Sequence, residues 1–197
     1  SAASGSISVS VDPTGLAAGT YTGSISITSP AASNSPQTVA VTLTVTALPV
    51  PSVVAIANSA SYASGAVAPG EIVVIGGLNL GVTTLTSGKI TNGFLDTTLV
   101  DTQVLFDSVA APIVYVSDKQ LAAVVPYEIA GRVTTKLQVS YKGSVSPAIE
   151  IRVVDAAPGI FTLNASGSGP GSILNQNGSI NTSTNPAQRG SVVVIYA

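Results

Sequence analysis

In 197 residues the chain carries 7 Lys and Arg against 9 Asp and Glu, a formal net charge of −2, and only 8 % charged residues in all. No basic run is present to neutralise a row of phosphates, which speaks against nucleic acid and against an anionic membrane surface as partners. The absence of Cys and His removes disulfides, thiolate metal sites and the commonest base and metal ligand, and a chain that also lacks Met and Trp suits an oxidising, extracellular setting.

The apolar share of 45 % is enough to build cores. The longest apolar pieces, such as Val53-Val54-Ala55-Ile56-Ala57, fall far short of the roughly 18 residues of a spanning helix, so no membrane insertion is expected. The hydrophobicity has the two-residue period of half-buried strands. It begins with Ile7, Val9 and Val11, continues with Ile25 and Ile27, and returns with Val39, Val41, Leu43 and Val45 between Thr38, Thr42, Thr44 and Thr46. Turns are set by the Pro and Gly of Asp12–Tyr21 and by Pro30 and Pro36. Three strands make only part of a sandwich, so residues 1–47 read as a partial immunoglobulin-like domain. Leu48-Pro49-Val50-Pro51 (48–51) follows as a stiff linker.

Residues 52–155 hold a fuller set of strands: Val53–Ala57, Glu71–Ile75, Thr98–Phe106, Pro112–Val116, Gln120–Val125, Val133–Tyr141 and Ala148–Val154. Seven strands in about a hundred residues have the rhythm of an immunoglobulin-like sandwich. The expected core is Val73, Ile75, Val104, Phe106, Val114, Val116, Leu137, Val139, Ile149 and Ile151. Little helix is expected, because no useful stretch has a 3.6-residue apolar period. Residues 156–197 read as a loop-rich segment leading into the first strand of a further repeat.

That last reading rests on a repeat. Pro69-Gly70-Glu71-Ile72-Val73-Val74-Ile75 returns 120 residues later within Gln188-Arg189-Gly190-Ser191-Val192-Val193-Val194-Ile195. A strand reached this late has no core of its own, so something else must cover it. The fold expected is all-β: tandem immunoglobulin-like β-sandwiches, incomplete at both ends. Ser191, Val192, Val193, Val194, Ile195 and Tyr196 form the expected assembly strand, left unpaired and joining other copies of the chain head to tail.

The run Val67–Gly81 resembles the opening of an IPT/TIG domain, an immunoglobulin-like fold. Tyr115-Val116-Ser117-Asp118-Lys119-Gln120-Leu121, Val125-Pro126-Tyr127, Ala156–Phe161, Asn175–Ser179 and Asn185-Pro186 extend the likeness. Together they resemble the repeated C-terminal β-sandwich domains of large secreted acidobacterial proteins. Gly15–Gly23 and the strand ending at Thr46 resemble the back half of a BACON-like domain. Neither resemblance implies catalytic residues.

No catalytic, cofactor-binding or metal-binding residue is identified from the sequence. Gly70 and Gly76-Gly77 lack the following helix of a phosphate loop. Glu71, Asp101, Asp107, Glu128 and Glu150 form no pair in a recognisable acid–base frame. Asp96, Asp101, Asp107 and Asp118 lie near loops without an EF-hand pattern. Tyr62, Tyr127 and Tyr141 are candidate exposed aromatics, and Asn164-Ala165-Ser166, Asn177-Gly178-Ser179 and Asn181-Thr182-Ser183 fit the glycosylation acceptor pattern but read as turns. The function expected is a non-enzymatic extracellular structural protein of a cell-surface assembly, a filament joined by strand complementation; a carbohydrate-binding or adhesive module with polysaccharide as partner is the alternative.

Overall fold

Alternating apolar residues become strand pairs over most of the chain, whose computed structural model describes residues 6–197. The chain divides after Leu48 into two units. In the first, β1 (Gly19–Ile27) and β2 (Gln37–Val45) form an antiparallel hairpin. Tyr21 lies opposite Leu43, Gly23 opposite Val41 and Ile25 opposite Val39, while Thr22 meets Thr42 and Ser24 meets Ala40. Neighbouring residues point to opposite faces, so one face of the hairpin is apolar and the other hydroxyl-bearing. No described residue of this unit is buried, and within it nothing packs on the apolar face.

The expected strand at Ile7, Val9 and Val11 is corrected. These residues form no strand, and their side chains are exposed. Alternation supplies a pattern for pairing, but a strand also needs a neighbour to accept and donate its backbone hydrogen bonds. The described part of the front unit is therefore two-stranded.

The second unit opens with β3 (Ser52–Asn58), β4 (Ala66–Val67), β5 (Ile72–Leu78), β6 (Thr86–Ser87), β7 (Ile90–Thr91) and β8 (Phe94–Leu95). Next come β9 (Thr102–Phe106), β10 (Val109–Ala110), β11 (Ile113–Val116), β12 (Gln120–Val124), β13 (Thr134–Tyr141), β14 (Ser144–Val145) and β15 (Ile149–Val153). One sheet has the order β3-β5-β12-β11-β6, and the other runs β10-β9-β13-β15-β4 with β14 beside β13. All pairings are antiparallel except β15 with β4. The inward faces meet in one core that contains Val73, Ile75, Val104, Phe106, Ile113, Val116, Leu121, Leu137 and Val139, each fully buried. This is an all-β, immunoglobulin-like sandwich. A single 3₁₀ turn, Tyr127–Ile129, is the helical element among the described residues.

Two expected strands differ in detail. Val114 is only half-buried and Ile113 takes its core place, because the register of β11 on β12 shifts between Ile113 and Tyr115. The bulge adds one residue, which is why Ile113 and Val116, three apart, both point inward. Thr98–Phe106 is broken as well: Leu99 and Thr102 each donate an N–H to the other's carbonyl, at 3.0 and 2.9 Å, across Val100-Asp101. Both turn residues have positive φ, +42° and +61°. Among the residues of 48–51, Pro51 is buried and the Val50 carbonyl accepts a bond from Asn79 Nδ2 at 3.4 Å.

A two-residue turn with positive φ at both positions is the geometry that favours Asn-Gly. Val100 is β-branched and poorly suited to it. Replacing Val100 by Asn and Asp101 by Gly should raise the unfolding free energy by about 1 kcal/mol, from relief of left-handed strain. Urea denaturation checks this, and an unchanged or lower midpoint would mean the turn is not strained.

Candidate interaction surface at a repeated hairpin

Beyond β15 two further strands appear, β16 (Ile173–Asn175) and β17 (Val193–Ile195). They pair antiparallel with Ile173 opposite Ile195, Leu174 opposite Val194 and Asn175 opposite Val193. The expected assembly strand is thus not unpaired: it has a partner within the chain on one edge. The signal for that partner was present, since Ile56-Ala57-Asn58 and Ile173-Leu174-Asn175 share Ile-x-Asn upstream of the two copies of the repeat. It was hidden by spacing, because Asn58 precedes Gly70 by twelve residues and Asn175 precedes Gly190 by fifteen.

The two hairpins have one design. In the first, Ile56 is opposite Ile75, Ala57 opposite Val74 and Asn58 opposite Val73. Val73-Val74-Ile75 and Val193-Val194-Ile195 are identical in residues and in register. Each strand is preceded by the same turn, with Gly70 at φ +80° and Gly190 at φ +84°, a backbone region open chiefly to glycine. Glu71 N–H donates to Ala68 O at 3.1 Å in one turn, and Ser191 N–H to Gln188 O at 3.0 Å in the other.

A buried asparagine ends the outer strand of both. Asn58 Oδ1 accepts from the Ala60 and Ser61 amides, both at 2.9 Å, and its Nδ2 donates to Glu71 Oε1 at 2.8 Å and to Ala157 O at 3.0 Å. All four hydrogen-bonding positions of the carboxamide are filled. Asn175 Nδ2 donates to Asn185 O at 3.0 Å and Ser179 Oγ at 3.3 Å, and its Oδ1 accepts from Asn181 Nδ2 at 2.8 Å. Each asparagine bonds side chain and backbone to the loop that returns the chain to the next strand, since Asn58 N–H donates to Ala63 O and Asn175 N–H to Ser179 O, both at 2.8 Å.

The surroundings of the copies differ. Val73 and Ile75 are sealed inside the sandwich, whereas Val193 is 38 % and Ile195 51 % exposed. Val192, Val194 and Tyr196 are exposed too, and Val192 N–H donates to Gln176 Oε1 at 3.3 Å while Ser191 Oγ donates to Gln188 O. Tyr196 N–H donates to Ser172 O at 3.2 Å, so the even-numbered amides face β16. Val193 and Ile195 accordingly present theirs to the other edge, where no strand pairs among the described residues.

The carboxylates do other work. Glu71 joins Asn58 to the Ala68 amide. Asp107 accepts from the Lys136 amide at 2.9 Å and from Arg132 at 2.7 Å. The Lys136 bond, with the Arg132 charge adding to it, holds the Asp107 carboxyl below its ordinary range despite partial burial. Asp96 accepts from Thr91 Oγ1, Asp101 sits in the turn already described, and Asp118 lends a carbonyl to Leu80 N–H. No cluster of three or more Asp, Glu, His or Cys occurs among the described residues. Tyr62 and Tyr127 are exposed and Tyr141 half-buried. Asn164 and Asn177 accept from amides two residues on, as turns require.

Residues 55–151 match the IPT/TIG domain family. That family is one of non-catalytic, immunoglobulin-like domains. No curated protein matches the chain. The match takes in β5, β9 to β13 and most of β3 and β15, and stops short of β16 and β17. The second hairpin is therefore related to the IPT/TIG domain by register and by the asparagine rather than by that match.

Replacing Asn58 by Ala strands the Ala60, Ser61 and Ala157 backbone groups and should cost about 2–4 kcal/mol of unfolding free energy. Asn175→Ala should cost about 1 kcal/mol, since its partners are nearer to water. Asn58→Asp would set a carboxylate against Glu71, so its loss should be larger at pH 7 than at pH 4. Urea titrations of the three variants check the order, and equal costs for Asn58→Ala and Asn175→Ala would contradict it.

Proposed function

We propose that the chain is a structural, non-enzymatic protein of an extracellular assembly at the cell surface, in which copies join head to tail. The observation that carries this reading is a pair of apolar faces, each exposed among the described residues of its own unit: that of β1–β2, and that of β17 bearing Val193 and Ile195. A sandwich needs two such faces against one another. Strand Ser191–Tyr196 of one copy, with β16 beside it, completes the front hairpin of the next. Donor and acceptor are different surfaces, so repetition gives an open filament unless rotation closes a ring.

Other features support the reading. IPT/TIG domains are immunoglobulin-like modules often found in extracellular or adhesion proteins. The resemblance to repeated sandwich domains of secreted proteins, and that of the front segment to a BACON-like domain, agree with it. Polysaccharide remains the alternative partner, with exposed Tyr62 and Tyr127 as its aromatic surfaces.

The test replaces Val193 and Ile195 together by Lys in the full chain. Sedimentation velocity should show concentration-dependent oligomers for the unmodified chain and monomer for the variant. Identical oligomers in both, or a monomer throughout, would refute the head-to-tail contact. Saturable binding to polysaccharide that is lost when Tyr62 and Tyr127 become Ala would favour the alternative.

A further inference from the structure

The β17 hairpin offers an edge as well as a face. On β5 the corresponding edge is filled by β12: Leu121 lies opposite Ile75, Ala122 opposite Val74 and Ala123 opposite Val73. The hydrogen-bond parity is the same in both copies. Val125 N–H donates to Glu71 O at 2.8 Å and Gly77 N–H to Lys119 O at 2.9 Å, so the odd-numbered positions of β5 face β12, as Val193 and Ile195 of β17 face outward. β17 thus carries the same three side chains, in the same order and on the same backbone parity, as the strand that receives β12.

We propose that the outer edge of β17 is an acceptor for an added antiparallel strand of β12's kind: an extended segment reading large apolar, small, small, with its large residue opposite Ile195. This goes beyond the head-to-tail reading, which uses the apolar face of the hairpin and leaves its edge free. The small residues follow from the geometry of the filled copy. Ala122 is 2 % exposed and Ala123 fully buried opposite two valines, so both faces of the added strand are closed to solvent there in the filled copy. The edge also lacks the devices that keep edges unpaired. No Lys or Pro occurs from Gly190 to Ala197, and the run carries no charged side chain. Backbone hydrogen bonds then supply attachment and the alternating side chains supply selection, as in strand addition generally.

The probe is a synthetic peptide with the sequence of Lys119–Val125, added to the full chain. Amide exchange is followed residue by residue by NMR. With peptide at ten times its dissociation constant, the Val193 and Ile195 amides should slow about tenfold, while Val194 and Tyr196, already bonded to β16, change little. A peptide with both alanines replaced by Asp should not slow them. In the chain variant Val193→Pro, which removes one outward donor without touching the β16 pairing, the slowing at Ile195 should be lost. No slowing, equal slowing by the Asp peptide, or protection confined to β1 and β2 would overturn the proposal. Because the readout is local exchange at the edge, it can fail while the oligomers persist, or succeed with a monomer.

Discussion

A sheet that turns a corner leaves backbone donors and acceptors without ladder partners, and the opening hairpin of this sandwich meets that problem with one carboxamide. Asn58 sits at the end of β3, buried, and holds the Ala60 and Ser61 amides, the Glu71 carboxylate and the Ala157 carbonyl. The last of these ties the segment leaving the sandwich to the strand that begins it, ninety-nine residues apart. An apolar residue there would leave several buried groups unpaired, and a carboxylate would stand against that of Glu71. The register of β3 on β5, and hence which faces of that sheet point inward, follows from where the asparagine stops the strand.

The same solution recurs at Asn175 with different partners. There a three-residue longer loop brings Asn185 O and Ser179 Oγ to the amide nitrogen, and no separate exit segment is needed. What is reproduced is the position of the carboxamide and the register it closes, rather than each contact. A hairpin that keeps its polar end satisfied can present an apolar face and an open edge without losing its own pairing, and that combination makes it suited to joining.

Most of the sandwich is legible in the sequence because burial on one side of each strand imposes a two-residue period. Val104, Phe106, Leu137 and Val139 could be assigned to the core on that basis, and they occupy it. The period fails where backbone geometry intervenes. A bulge exchanges Val114 for Ile113, and the tight turn at Val100-Asp101 cuts short a strand whose residues look suited to continue. Ile7, Val9 and Val11 show the converse, a correct pattern without a neighbour. The repeat at Ser191–Tyr196 was legible as strand and turn. Its partner β16 was not, because the shared Ile-x-Asn is short and the loops between differ in length.

One hairpin design, registered by a buried asparagine, is built twice in this chain. Cross-strand Hα–Hα nuclear Overhauser effects test it directly, since in an antiparallel pair they connect opposite residues that do not exchange hydrogen bonds. A hairpin built twice gives contacts from Asn58 to Val73 and from Asn175 to Val193, with Ile56 to Ile75 and Ile173 to Ile195 beside them. Contacts from Asn175 to Val192 or Val194 would mean a register slipped by one residue and every side chain of β17 turned to the other face. That result, or no cross-strand contact from Asn175 at all, would mean that the second hairpin does not repeat the first.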